Sequence, residues 1–253
     1  MAHQFKKRFG QNFLRDQNLL KKIVQTAKIN YKHVIEIGPG EGGLTKHAIK
    51  EALSLVAYEI DTTLQPTLSL IEQSAQNVTF IYEDFLSLTK FDTKYTHIIG
   101  NIPYNITSPI LFKVLALDHI ERATFMVQKE FAERMTASPK TKAYNALSVM
   151  MQLSFRTTYE FTVTKKVFYP IPKVDSAIVS LQRKNVSNKE LNQFVKDCFK
   201  QKRKTIINNL YETRNIPKEM ISDALLSLGY VENARAEEVK PEDFVNLFNK
   251  TLT

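Results

Sequence analysis

Short apolar runs that return again and again, with helix-compatible segments between them, leave this chain few folds to choose from. His33–Ile37, Leu55–Glu59, Val78–Tyr82, Thr96–Ile99, Ala123–Gln128, Val149–Phe155 and Ala177–Gln182 read as strands. The early runs are almost unbroken in apolar character, as strands covered on both faces of a parallel sheet must be. Strand alternating with helix predicts a doubly wound α/β fold. After Arg183 the texture changes: Lys184-Asn-Val-Ser-Asn188 is polar and no strand-like run follows. Pro217 and Pro241 stand where first-turn prolines open helices, and Gly229 stands where one would stop. The expected organisation is an α/β domain over residues 1–184 and a small all-helical domain over 185–253.

Composition narrows the chemistry. Lys and Arg number 35 against 26 Asp and Glu, a net charge of +9 that fits a polyanionic partner. Cys198 is the only cysteine, which excludes an internal disulfide and a cysteine metal cluster, and the five histidines show no ligand spacing. No metal is expected. No apolar run approaches the ~18 residues of a membrane-spanning helix. The stretch from Met1 to Arg8 lacks the apolar core of a signal peptide and turns straight into motif-like sequence. The expectation is a soluble, cytoplasmic, monomeric protein that makes no membrane contact.

Val34-Ile-Glu-Ile-Gly38-Pro-Gly40 is a strand running into a glycine turn and then a helix. Gly38 and Gly40 let backbone approach a ligand where a Cβ would clash. The next strand ends at Glu59, about twenty residues on, where a carboxylate accepts from both hydroxyls of a ribose. To this point the chain suits either NAD or S-adenosylmethionine. The third strand ends in Tyr82-Glu-Asp84-Phe85, and Asp84 is placed to accept from an adenine exocyclic amine.

The fourth strand end decides between the two cofactors. Asn101-Ile-Pro-Tyr104 presents a carboxamide, a carbonyl and an aromatic ring at one proline-stiffened turn. Asn101 and the Pro103 carbonyl can each accept a proton of an adenine amine, and Tyr104 can stack on its ring. A dehydrogenase has no evident use for that set, whereas a methyl donor beside an adenine-sized slot does. The features together favour an adenosylmethionine-dependent amino-methyltransferase.

Six segments then carry a resemblance: Arg8-Phe-Gly-Gln-Asn-Phe-Leu14, Glu36-Ile-Gly-Pro-Gly40, Asn101-Ile-Pro-Tyr-Asn105, Met126-Val-Gln-Lys-Glu130, Phe168-Tyr-Pro-Ile-Pro-Lys-Val-Asp-Ser-Ala177, and Gln201-Lys-Arg-Lys-Thr205 with Asn208-Asn-Leu210. In these the chain resembles the bacterial 16S rRNA dimethyladenosine transferases. The resemblance implies a Rossmann-like class I methyltransferase domain with a mostly parallel seven-stranded sheet, followed by a helical rRNA-binding domain. It implies dimethylation of two adjacent adenosines near the 3′ end of small-subunit rRNA, within a pre-assembled 30S particle and coupled to late subunit assembly. It also carries cofactor contacts onto Asn12, Leu14, Gly38, Glu59, Asp84 and Asn101, and places Phe168 on the target base opposite Tyr104.

Ile102 stands where the family more often has Leu, and Tyr144-Asn-Ala-Leu-Ser148 replaces a more usual Tyr-Gly-Arg-Leu-Ser. Affinity for RNA is expected from a basic arm of Lys6, Lys7, Arg8 and Arg15. A second source is a helical face of Lys196, Lys200, Arg203 and Lys204, opposite an inward-packing set of Val195, Phe199, Ile206 and Leu210. Three alternatives stay open: a macrolide-resistance methylase acting on 23S rRNA, a DNA adenine methylase, and a non-catalytic assembly or transcription factor on the same fold.

Overall fold

The computed structural model describes residues 12–185 and 188–252. They pack as two compact units: residues 12–132 joined by Thr158–Arg183, and Glu133–Thr157 joined by the chain from Lys184 onward. Within the first stretch lie β1 (Phe13–Leu14), α1 (Gln17–Ala27), β2 (His33–Ile37), α2 (Thr45–Ala48), β3 (Ser54–Tyr58), α3 (Gln65–Ser74), β4 (Val78–Ile81), β5 (His97–Asn101), α4 (Thr107–Ala116) and β6 (Arg122–Gln128). The chain continues through α5 (Lys129–Met135), α6 (Ala146–Ser154), β7 (Phe155–Val163), β8 (Phe168–Tyr169) and β9 (Ser176–Arg183). It ends with α7 (Lys189–Cys198), α8 (Ile206–Arg214), α9 (Lys218–Ser227) and α10 (Pro241–Leu252).

The seven-stranded sheet runs β4-β3-β2-β5-β6-β9-β7. Pairs from β4 through β6 are parallel, and β9 joins β6 antiparallel. Apolar residues fill the interior: Val34, Leu55, Ile98, Phe125 and Val179 are all buried. Helix α1 shows why such segments close over a sheet. Asp16 caps its first turn by accepting from the backbone of Asn18 and Leu19, and Leu20, Ile23, Val24 and Ala27 recur on the buried face.

Chain order reverses at β2, which has β3 on one side and β5 on the other, and the crevice of an open α/β sheet lies at such a switch point. Register fixes what meets there. Ile37 lies opposite Gly100 and Tyr58, and Tyr58 lies opposite Ile81, so residues following β2, β3, β4 and β5 emerge side by side. A Cβ on Gly100 would stand 2.7 Å from the Ile37 carbonyl oxygen, so the close β2–β5 contact requires glycine. A separate two-stranded ribbon pairs β1 with β8, Phe13 opposite Tyr169 and Leu14 opposite Phe168.

One expected strand is a helix. Val149–Phe155 is mostly α6, opened by Asn145, whose side chain accepts from Leu147 and Ser148 while the Ser148 hydroxyl accepts from the Asn145 backbone. The strand begins only at Phe155 and runs to Val163. In the second unit the buried Tyr144 donates its hydroxyl proton to the Val239 carbonyl at 2.8 Å. Phe199 stacks on Phe244 at 5.7 Å between ring centres. The packing division therefore differs from a single break at 184/185, because residues 133–157 join the C-terminal helices. Pro241 opens α10 with Glu242 and Asp243 in its first turn, and Gly229 follows α9 at φ +82°.

The expected basic helix face is also revised. Helix α7 stops at Cys198, and Gln201–Lys204 form turns bracketed by the buried Asn209. That amide donates to the carbonyls of Cys198 and Gln201 and accepts from the Gln201 backbone, at 2.9, 3.2 and 3.1 Å. Val195, Ile206 and Leu210 are buried as expected, and Phe199 is half-buried.

Candidate active site

The strand ends of the first unit line one cavity of about 430 Å³. Asn12, Leu14, Gly38, Gly40, Glu59, Asp84 and Asn101 all border it, together with Arg15, Pro103 and Tyr104. Gly38 and Gly40 have φ of +67° and +58°, a region L side chains avoid, and a Cβ on Gly40 would lie 2.6 Å from a ring carbon of Phe13. The turn is thereby held open as a cradle of bare backbone. Glu59 is buried. One of its oxygens accepts from Gly40 N–H at 3.0 Å and the other from Asp61 N–H at 2.8 Å, so β3 orients the glycine turn directly. A carboxylate has about four acceptor sites, which leaves room for a diol.

Charge in this cavity runs against that of the whole chain. Among the described residues, Glu36, Glu41, Glu59, Glu83 and Asp84 line it against Arg15 and Lys46. Glu36 is fully buried, and burial pushes its carboxyl up to about 8, more than the nearby Thr45 hydroxyl lowers it. Among the described residues Glu36 Oε2 has no partner. Burial also raises the Glu59 carboxyl. Such a lining disfavours a pyrophosphate and suits a ligand with hydroxyls, an amine and a cationic centre. Asp84 is held by Leu86 N–H at 2.9 Å. The loop beyond it is tied down by Lys113 of α4, whose ammonium donates to the carbonyls of Leu86 and Leu88 at 2.7 and 2.6 Å.

At the end of β5 the Asn101 amide is oriented by main chain. Its Nδ2 donates to the Asn12 carbonyl at 2.8 Å, which leaves Oδ1 as the acceptor on the cavity side chain. Tyr104 is anchored through its hydroxyl to Ser176 Oγ at 2.7 Å, and burial raises its phenol. The Pro103 carbonyl is not bare, contrary to the sequence reading. It accepts from Ile106 N–H at 3.1 Å and Thr107 Oγ1 at 3.2 Å, which fills its two lone pairs. Ile102 also lines the cavity, and among the described residues nothing donates to its carbonyl. The carbonyl of this turn with no donor among the described residues is therefore that of Ile102, one residue earlier.

The sequence matches the family model for ribosomal RNA adenine dimethylase over residues 2–252. The chain belongs to that family. It is 45% identical, over 98% of its length and 96% of the relative's, to the ribosomal RNA small subunit methyltransferase A of Aster yellows witches'-broom phytoplasma. Among solved structures it is similar to a dimethyladenosine transferase from Plasmodium falciparum, at 29% identity and a TM-score of 0.82, covering 94% of this chain and 98% of that one. It is also similar to the 23S rRNA methyltransferase ErmE, at 30% identity and a TM-score of 0.77, covering 95% of this chain and 100% of that one. The fold is accordingly the Rossmann-like methyltransferase fold, and the chain is a methyltransferase of the rRNA adenine dimethylase type.

Not every residue predicted for this rRNA adenine dimethylase meets at the cavity. Phe168 is 3% exposed, packed in the core beside Leu14, and is not among the cavity-lining residues. Lys6, Lys7 and Arg8 lie outside the described residues. In the second unit Lys200 and Arg203 are exposed, and Lys204 pairs with Glu212 at 2.5 Å. Sequence reasoning passed over four positions that shape the dimethylase site: Glu36, the Asn12 carbonyl, Lys113 and Ser176. Glu36 and Ser176 sit inside quoted motifs, so their signal was present. A main-chain carbonyl and a lysine on the far side of a helix carry none.

Proposed function

We propose that this chain transfers methyl groups from S-adenosylmethionine to N6 of two adjacent adenosines near the 3′ end of small-subunit rRNA. The observation that carries this reading is the single cavity joining the acid-rich strand ends to the Asn101–Tyr104 turn. Glu59 would hold the ribose hydroxyls, Asp84 the adenine amine, and the Gly38–Gly40 backbone with Asn12 and Leu14 the remainder. The orphan oxygen of Glu36 and the open glycine cradle fit such an occupant. When bound, S-adenosylmethionine supplies an electrophilic methyl on a sulfonium.

The residues of the turn do the rest. The lone pair of an adenine amine is delocalised into the ring. Asn101 Oδ1 and the Ile102 carbonyl accept its two protons, draw the nitrogen toward tetrahedral geometry and localise that pair. Tyr104, fixed by Ser176, stacks on the base. N6 gains a methyl and sheds a proton, which passes to solvent, so the work is positioning and fixed dipoles rather than a dedicated base. On the second round one N–H remains and one acceptor suffices. The target base must leave its stack to arrive. Phe168 would join Tyr104 on the base only after leaving the core beside Leu14.

Exposed Arg15, Lys200 and Arg203, with Lys6, Lys7, Arg8 and Lys204, are the proposed phosphate contacts. The names of relatives support a small-subunit rRNA substrate, and we infer that a monomeric cytoplasmic enzyme meets it within a pre-assembled 30S particle. No helix among the described residues is long and apolar enough to cross a membrane.

Labelled methyl transfer to unmethylated small subunits and to naked 23S rRNA, with nucleoside analysis, tests this reading. Dimethyladenosine is expected on the small subunit alone; labelling of 23S rRNA alone would replace it with the specificity named for ErmE. Asn101→Ala should cut transfer by about 100-fold or more while rRNA binding is retained, the magnitude of losing one preorganised dipole. Equal loss of binding would remove Asn101 from the chemistry.

A further inference from the structure

The ribbon that borders the cavity carries exposed aromatic and aliphatic side chains that the chemistry above does not use. In β8, Phe168 faces the core while Tyr169 is 51% exposed. Next to it stand Ile171 and Val174, 64% and 44% exposed, on the turn that returns to β9. Large apolar side chains seldom gather in water without a partner. The Arg15 guanidinium lies over the Tyr169 ring, 4.8 Å from its centre, and Arg15 itself lines the cavity. Lys165, Lys166 and Lys173 are exposed on the same segment, and Asp175 is engaged by the Lys165 backbone N–H at 2.9 Å. Across the ribbon Tyr169 is paired with Phe13, which also lines the cavity.

We propose that Arg15 and Tyr169 form a stacking platform for the unpaired nucleobase next to the target adenine. An arginine plane and an exposed aromatic ring both accept a base face, and both are indifferent to its edges. The surrounding lysines match a phosphodiester backbone rather than a protein or lipid surface. Directly opposite residues share a face, so Tyr169 lies on the same side of the ribbon as Phe13, and an acid-rich pocket adjoins a cationic, aromatic surface. Because Arg15 belongs to both, a base stacked there lies within one nucleotide of the cavity mouth. The inference rests on the proposed function, under which the neighbour is itself an adenosine and the next to be methylated. The platform parks that nucleotide while its partner is modified.

The test is binding, with S-adenosylhomocysteine present, of a hairpin RNA whose loop carries two adjacent adenosines. A second hairpin has one of the two replaced by an abasic residue. Tyr169→Ala should weaken binding of the intact hairpin by about 5- to 150-fold, the range for removing a base-stacking ring. Tyr169→Phe should stay within about 3-fold of the unsubstituted protein, and the abasic hairpin should erase the difference among all three proteins. Calorimetry should give the same S-adenosylhomocysteine affinity for all three. Unchanged binding of the intact hairpin by Tyr169→Ala, an equal loss on the abasic hairpin, or no binding by the unsubstituted protein would each overturn the platform. Methyl transfer to small subunits is read separately, so failure of the broader reading is distinguishable.

Discussion

Asn101 shows how much one side chain depends on main chain 89 residues away. Its acceptor oxygen is available because its amino group is held by the Asn12 carbonyl. The sequence displays Asn101 and its partners Ile102, Pro103 and Tyr104 as a block, and that block was legible. Which carbonyl of the turn remains bare was not, because it depends on the Thr107 hydroxyl and the Ile106 N–H folding back onto Pro103. Phe168 was misplaced for a similar reason: a motif names a residue but not the rotamer that core packing imposes. Glu36 yields a test at this scale. Its carboxyl is held neutral by burial up to about pH 8, whereas in the unfolded chain it ionises near 4.5. Between those values the native state binds the extra proton, so stability is full below about 4.5 and falls as pH rises toward 8. Glu36→Gln removes that dependence. Its melting temperature relative to the unsubstituted protein should be roughly 5 °C or more higher at pH 8 than at pH 5, read by thermal unfolding at both.

Among the elements, α4 links the two halves of the site. It begins immediately after the Asn101–Tyr104 turn, and its Lys113 fastens the loop after Asp84 by two carbonyls, with the aromatic rings of Phe85 and Phe91 each 5.4 Å away. At its far end Arg183 donates to the carbonyls of Val114, Leu117 and Ile120, adding a cationic partner to a helix terminus whose Val114 and Leu117 carbonyls also accept from Leu117 and Ile120 N–H. Lys113→Met keeps the apolar stem and removes the donors. Affinity for S-adenosylhomocysteine should fall about 10-fold by calorimetry, with kcat at saturating cofactor little changed; an unaltered affinity would make Lys113 a packing residue only. Strands β2 to β6 were readable to within a residue or two because each is a short run rich in apolar residues. Helix α6 was not, since Val149, Met150 and Met151 are all buried and the 3.6-residue period disappears. The Asn145–Ser148 capping pair was the discriminating signal, and it outweighs composition.

For the whole molecule, a net charge of +9 coexists with a cavity lined, among the described residues, by five acidic side chains and two basic ones. The excess positive charge therefore lies on the surface, where it meets a polyanion and is sensitive to salt. Removing Lys200 and Arg203 should lower the slope of log affinity for rRNA against log salt by roughly 1 per charge. Lys204→Ala should change it less, because Glu212 already neutralises that ammonium. Filter binding at several salt concentrations measures both. Net charge was visible in the sequence from the outset. Its segregation was not, nor was the insertion of β9 between β6 and β7, since strand order rests on contacts far apart along the chain.

The split of the second unit along the chain sets a timetable for synthesis. Tyr144 leaves the ribosome 95 residues ahead of Val239, the residue that accepts its hydroxyl. At roughly 5–20 residues per second the nascent chain carries α6 for about 5–20 s before its companions exist. Those companions are α7 and α10, so the second unit closes only once α10 has been made, and until then the apolar side chains of α6 are within reach of chaperones.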